Sequence, residues 1–89
     1  MSVAVDHNFP HDGDMLIVNA SGDPIEGVVI RIFEHTKFFQ NDVDTWVGET
    51  ITDANGEWVD PIYLPEAQNW VVHFQKAAEY GPDHVEITT

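Results

Sequence analysis

Apolar and polar residues alternate along much of this chain, which is the pattern of β-strands that bury one face. The alternation is clearest over residues 70–75, with the sequence WVVHFQ, and over residues 27–34, with the sequence GVVIRIFE. In the second segment Phe33 falls on the face opposite Val28, Ile30 and Ile32, so we expect an exposed aromatic ring there. Both segments are predicted to be strands of a half-buried sheet.

Shorter segments of the same character are separated by turn-forming residues. They cover residues 15–20, 46–52, 57–60, 62–64 and 84–88. Asp53-Ala54-Asn55-Gly56 predicts a tight turn, because Asn and Gly adopt positive φ at low cost. The Phe38-Phe39 pair interrupts the alternation, and residues 35–45 are predicted to form a loop, a short edge strand or a helical turn. Together the segments predict an all-β sandwich of about seven strands.

The first 14 residues are dense in Asp, His, Pro and Gly, whose turn chemistry argues against regular structure. We therefore predict an N-terminal arm over residues 1–14 and a single domain over residues 15–89. Val3, Val5 and Phe9 give this arm apolar groups that could dock to a partner. The arm has no basic start, continuous apolar segment or small-residue cleavage motif, so we expect no signal peptide.

Composition limits the classes of function. The 89 residues contain no cysteine, so neither a disulfide framework nor a thiolate metal site is expected. Sixteen acidic residues against three basic ones give a formal charge of −13, which would repel nucleic-acid phosphates and anionic membranes. We expect no direct binding to either. The acidity fits a solvated surface, adaptation to high salt, the outer surface of a particle, or docking onto a basic partner.

The candidate chemical groups give little support for catalysis or for a metal site. Pro10 prevents the helix that would place His7 and His11 on one face as a metal-binding pair. Two acidic fragments, residues 12–14 and 42–44, lack the full spacing of a calcium loop. The two serines, Ser2 and Ser21, are not in a nucleophile motif. We expect no enzyme activity, no catalytic residue, no metal and no cofactor.

Aromatic residues are the remaining signal. Three Trp, five Phe and two Tyr exceed what one small core needs, so some are expected to face a protein partner. The predicted partner face comprises Phe33, Phe38, Phe39 and Trp46, which cluster around the segment that breaks the alternation. His73 is interpreted as an exposed strand histidine rather than a pH-sensitive interface group.

Four motifs follow one another in a fixed order. They are Gly22-Asp23-Pro24-Ile25-Glu26-Gly27 before an alternating strand, Thr52-Asp53-Ala54-Asn55-Gly56-Glu57-Trp58, Leu64-Pro65, and Trp70-Val71-Val72. In this order they resemble the prealbumin-like carboxypeptidase-regulatory and collagen-adhesin B-type domains, over residues 15–89. The resemblance implies a seven-stranded Greek-key β-sandwich of the prealbumin-like or immunoglobulin-like type. The C-terminal Tyr-Arg-Gly-Ser signature of the related transthyretin-like hydrolases is absent.

The resemblance also indicates a role. Stand-alone domains of this type recur as virion components, so we expect a non-enzymatic accessory protein of a tailed bacteriophage or archaeal virus, such as a head decoration, neck or fibre subunit. It would be made in the host cytoplasm, be found in the virion, and contact capsid or other virion proteins or further copies of itself. The alternative is a carbohydrate- or surface-binding module in which Trp46, Phe38 and Phe39 form a stacking platform.

Adhesin domains of this family carry a Lys-to-Asn or Lys-to-Asp isopeptide bond, but this chain lacks the groups for one. Its first predicted core strand, residues 15–19, has no lysine, and Phe74 stands at the position of the assisting acid. We therefore expect the intact mass of the purified chain to equal the sequence mass. A mass lower by one water or one ammonia would contradict this.

Overall fold

The part of the chain that the structure describes is mostly β-strand and contains two antiparallel sheets, and the predicted all-β class is confirmed. A computed structural model describes residues 2–40 and 45–89. The elements in these ranges are β1 (Ser2–Val5), β2 (Val29–Glu34), α1 (His35–Phe39), β3 (Gly48–Ile51), β4 (Ile62–Pro65), β5 (Asn69–Lys76) and β6 (Tyr80–Thr88). A four-stranded sheet has the order β3-β2-β5-β6, and β1 and β4 form a two-stranded sheet.

The core lies between the two sheets. We call the side of the four-stranded sheet that faces β1 and β4 the inner face, and the opposite side the outer face. The predicted alternation of residues 27–34 and 70–75 is realised here, because the inner face buries Ile30 and Ile32 of β2 together with Trp70, Val72 and Phe74 of β5. Val5, Ile62 and Leu64 cover them from the two-stranded sheet.

The first residues belong to the folded domain rather than to an arm outside it. β1 pairs with β4 from Ser2 opposite Pro65 to Val5 opposite Ile62. Val5 is fully buried in the core, and Phe9 packs against the core from the following loop. The predicted boundary at residue 14 is therefore corrected for residues 2–14. The physical reason is that β4 would have no ladder partner without β1.

The segment of residues 15–20, predicted as the first core strand, is extended but joins neither sheet. Met15 and Ile17 are buried, whereas Leu16 and Val18 are exposed, as an alternating strand requires. Ile17 N–H donates to the Gly56 carbonyl at 3.0 Å, and the Ile17 carbonyl accepts from Ile25 N–H at 3.1 Å. The pairing with the following segment continues to Asn19, whose N–H donates to the Asp23 carbonyl at 2.8 Å, and the bridge between Val18 and Pro24 lies between these two hydrogen bonds.

The predicted turn at residues 53–56 is present. The Asp53 carboxylate accepts hydrogen bonds from the N–H groups of Asn55 and Glu57, at 2.9 and 3.1 Å. Gly56 has φ 73°, and a Cβ there would lie 2.4 Å from the Ile17 carbonyl oxygen, so only glycine fits. The return strand predicted over residues 57–60 is reduced to one bridge between Thr52 and Trp58.

A buried hydroxyl ties this turn to the start of β2. Thr52 Oγ1 accepts from Val28 N–H at 2.9 Å and donates to the Ile25 carbonyl at 2.7 Å. Because the side chain is almost completely buried, no water replaces these bonds if the hydroxyl is removed. Thr52 therefore holds the segment before β2 against the edge of the four-stranded sheet.

We expect Thr52→Val, which keeps the shape and removes both bonds, to lower the free energy of unfolding by about 1–3 kcal/mol. Urea denaturation followed by tryptophan fluorescence measures the change. Thr88→Val is the matched control, since the Thr88 hydroxyl bonds to Asn69 Oδ1 at an exposed position. Equal losses for the two variants would contradict a structural role for the buried hydroxyl.

Candidate docking face

The outer face of the four-stranded sheet carries a row of charged and imidazole side chains. Arg31 of β2 is opposite Glu49 of β3 and His73 of β5, and His73 is opposite His84 of β6. Cross-strand partners in an antiparallel sheet point to the same side, so these four side chains cross the sheet in one line. Phe33, Val71 and Glu86 form the neighbouring row.

Helix α1 covers part of this face. β2 runs directly into α1, which returns the Phe38 ring to within 5.4 Å of the Phe33 ring, centroid to centroid. The Phe38 ring also lies 5.1 Å from the ring of His84 and 6.2 Å from that of His73. Phe33 is only 3% exposed as a result, and Val71 is fully buried. The prediction that Phe33 is exposed was therefore wrong.

A histidine on the helix holds α1 against β6. The Nε2 atom of His35 pairs with the carboxylate of Glu86. The His35 ring also packs against Phe39, with 4.9 Å between centroids. This pairing links the first residue of the helix to the edge strand, so the five-residue helix does not rely on its own backbone hydrogen bonds alone.

Trp46 and Arg31 form the other end of the face. The guanidinium carbon of Arg31 lies 4.2 Å from the centroid of the Trp46 ring, within the range of a cation–π contact. Arg31 Nε donates to Glu49 Oε2 at 2.6 Å. The Trp46 side chain is thus positioned by a cation that is itself fixed by a carboxylate, while 39% of the residue stays exposed.

Phe39 is the most exposed aromatic residue of the face. It is 53% exposed, and its ring is nearly perpendicular to that of Phe38, at 85° and 5.3 Å between centroids. An open depression of about 300 Å³ adjoins Arg31 and His73. The face therefore presents two exposed rings, Phe39 and Trp46, and an open depression of mixed polar and apolar lining beside Arg31.

Two carboxylates on this face have side-chain partners, although the whole chain is strongly acidic. Glu49 pairs with Arg31, and Glu86 pairs with His35. Burial is the first cause that lowers the pKa of His73, and the charges of His84 and Arg31 lower it further, while Asp83 opposes them. Tyr80 is also affected, since burial, followed by Asp83, raises its pKa.

The structure brings together only part of the predicted partner surface. Phe38, Phe39 and Trp46 surround the outer face, with Phe33 buried beneath. Val3, Val5 and Phe9 instead belong to the part of the chain that packs on the inner face; Val5 cannot contact a partner, and Val3 and Phe9 are partly buried against the core. The row of Arg31, His73 and His84 was not predicted from the sequence, although the alternating pattern of the strand already placed Arg31 on the same side as Phe33.

The histidines of the first loop have structural contacts. His7 Nδ1 accepts from Trp58 N–H at 3.2 Å, and His7 Nε2 lies 3.4 Å from Glu57 Oε2. His11 pairs with Asp14 on the surface.

No group of three or more metal-binding side chains occurs within residues 2–40 and 45–89, and the acidic fragment of residues 42–44 lies outside the described residues. In those same ranges, no helix has the length and apolar character to cross a membrane.

No protein-family model matches the sequence, and no curated protein or solved structure shows significant similarity to it.

We expect the pKa of His73 to lie below its ordinary value near 6.5, and Phe38→Ala to raise it by uncovering the ring. NMR titration of the histidine Cε1–H signals measures both. Phe39→Ala is the matched control. It removes a neighbouring ring that contacts Phe38, His35 and His84, and it keeps the Phe38 ring that lies beside His73. A His73 pKa at or above 6.5, or one that Phe38→Ala leaves unchanged, would contradict this environment.

The lowered pKa of His73 also makes the free energy of unfolding depend on pH. With the folded pKa below the unfolded value, the unfolded chain binds more protons between the two pKa values. The contribution of His73 is fully present above about pH 6.5 and is lost as the pH falls towards the folded pKa.

Proposed function

We propose that this protein is a non-enzymatic docking subunit, an accessory structural component of a virion such as a head decoration, neck or fibre protein. It would bind a virion protein through the outer face of its four-stranded sheet. The observation that carries the docking role is the pair of exposed rings, Phe39 and Trp46, on a face whose carboxylates, Glu49 and Glu86, already have side-chain partners.

Such a face has the composition of a protein–protein contact. Aromatic residues and Arg are enriched at the centres of interfaces, where a few of them supply most of the binding free energy. Trp46 stacked on Arg31 and Phe39 packed edge-on against Phe38 are held in place before binding. Little side-chain entropy would therefore be lost when a partner covers them.

The charge of the remaining surface supports the same role. A formal charge of −13 on 89 residues keeps copies soluble before assembly and disfavours contact with a packaged nucleic acid. A subunit on the outside of a particle requires both properties. The virion setting itself is supported by the resemblance of the sequence motifs.

The finer fold assignment is part of this proposal. We infer that the domain is a divergent seven-stranded Greek-key sandwich of the prealbumin-like type, in which residues 15–20 stand where another strand would be. Support comes from their alternating burial and from the two hydrogen bonds that Ile17 makes, to Gly56 and Ile25.

A carbohydrate- or surface-binding module is the alternative. Its stacking platform would need rings that lie side by side in one plane, but Phe38 and Phe39 are nearly perpendicular, and one face of Trp46 is occupied by Arg31. The geometry favours a protein partner. Binding on a glycan array that Trp46→Ala abolishes would reverse this preference.

We expect the full chain to sediment with purified virus particles in a density gradient, and Trp46→Ala or Phe39→Ala to weaken that association. Loss of a central aromatic contact costs about 2 kcal/mol or more, which is roughly a thirtyfold loss of affinity. Quantitative immunoblotting of gradient fractions measures the bound share.

Tyr63→Ala is the matched control. Tyr63 is 67% exposed on β4, on the side of the protein opposite the outer face, and we expect its removal to leave particle binding unchanged. Recovery of the chain only in particle-free fractions would refute the virion role. Equal effects of Tyr63→Ala and Trp46→Ala would refute the outer face as the docking surface.

A further inference from the structure

The free edge of the four-stranded sheet is formed by its longest strand. β6 (Tyr80–Thr88) pairs with β5 on one side, and no strand within residues 2–40 and 45–89 pairs with its other side. Val85 is 39% exposed at this edge. An unpaired strand of this length offers a row of backbone donors and acceptors to another strand.

Hydrogen bonds at the end of β6 show in which direction its backbone N–H and C=O groups point. Thr89 N–H donates to the Gln68 carbonyl at 2.9 Å, which makes residues 68 and 89 a hydrogen-bonded pair in the ladder with β5. Backbone groups alternate along an antiparallel strand, so those of residues 83, 85 and 87 also point to β5. The groups of His84, Glu86 and Thr88 point to the open edge.

A second contact agrees with this alternation. The N–H of His84 donates to the carboxylate of the adjacent Asp83 at 2.9 Å instead of to β5. The amide is thus directed away from the sheet and is held by a side chain that can rotate. Pro82, with no N–H, stands two residues before it at the same edge.

We propose that β6 is a self-complementary edge that pairs antiparallel with β6 of a second copy, about a twofold axis at Val85. In this register His84 of each copy is opposite Glu86 of the other. The two residues exchange backbone hydrogen bonds, because both have their N–H and C=O groups directed outward. The proposal goes beyond the docking role above and does not depend on it.

Side-chain pairing and the number of backbone hydrogen bonds favour this register over its neighbours. An axis at Glu86 would place the two Glu86 carboxylates opposite each other, and an axis at His84 would place Pro82, which cannot donate, opposite Glu86. The axis at Val85 moves Pro82 opposite Thr88, near the end of the strand. It places an imidazole opposite a carboxylate twice, so each His84 ring can donate a hydrogen bond to Glu86, whose carboxylate also pairs with His35 of its own copy. It also brings the two exposed Val85 side chains together on the inner face.

The twofold axis is perpendicular to the sheet, so the two four-stranded sheets would join into one continuous sheet. Both outer faces would then lie on the same side. The strong net charge opposes association at low salt, and added salt screens it, since the screening length falls from about 10 Å at 0.1 M to about 3 Å at 1 M. The exposed His84–Glu86 pairs are weakened by the same screening, so at 1 M salt the backbone hydrogen bonds and the Val85 contact hold the dimer together.

Light scattering coupled to size-exclusion chromatography tests the proposal with the full chain at 0.1 M and 1 M salt. We expect a concentration-dependent dimer that is stronger at 1 M. Glu86→Pro removes an outward N–H that β5 does not use, and it should weaken the dimer by about tenfold or more. A monomer at every salt and protein concentration, or an assembly larger than two chains, would overturn the proposal.

Charge variants test the register independently of proline. His84→Glu should weaken the dimer by placing Glu opposite Glu86, and His84→Glu combined with Glu86→Arg should restore it. Gln75→Glu, which makes the same charge change on β5, is the matched control and should retain the dimer. Circular dichroism checks that each variant is folded, and a folded His84→Glu variant that dimerises as strongly as the unmodified chain would exclude this register.

Discussion

A four-stranded sheet has two faces to keep from water, and this chain has few residues with which to cover them. The inner face is covered by β1, β4 and the segment before β2, which together form one apolar core. Among the described residues, the outer face is covered by the five residues of α1 and, at its other end, by Trp46 over Arg31. This imbalance explains why one side of the protein is closed, whereas the other has exposed rings beside paired polar side chains.

Strand β5 shows how the two faces are coupled. It lies between β2 and β6, and it buries Trp70, Val72 and Phe74 on the inner face and Val71 on the outer face. On the outer face, the Phe38 ring provides the apolar packing, because it covers Phe33 and lies close to the rings of His73 and His84. The helix therefore stabilises the sheet and shapes the proposed docking face with the same side chain.

The sequence allowed the strands with clear alternation to be predicted, together with the turn at residues 53–56, because local patterns determine them. Non-local pairing was not accessible. Nothing in Val3 and Val5 showed that β4 would need them as a ladder partner, so a strand was interpreted as an arm. Phe33 was assigned to the correct face but predicted to be exposed, because the return of α1 over the sheet depends on contacts distant in sequence, such as that between His35 and Glu86.

We propose that the outer face, and not the side that carries Tyr63, is covered when the protein is assembled with its partner. Hydroxyl-radical footprinting of the chain, isolated and assembled in its particle, tests this by comparing oxidation of Phe39 and Trp46 with that of Tyr63. All three are exposed in the isolated chain. We expect assembly to protect Phe39 and Trp46 and to leave Tyr63 reactive. Protection of Tyr63 with continued oxidation of Phe39 and Trp46 would contradict it.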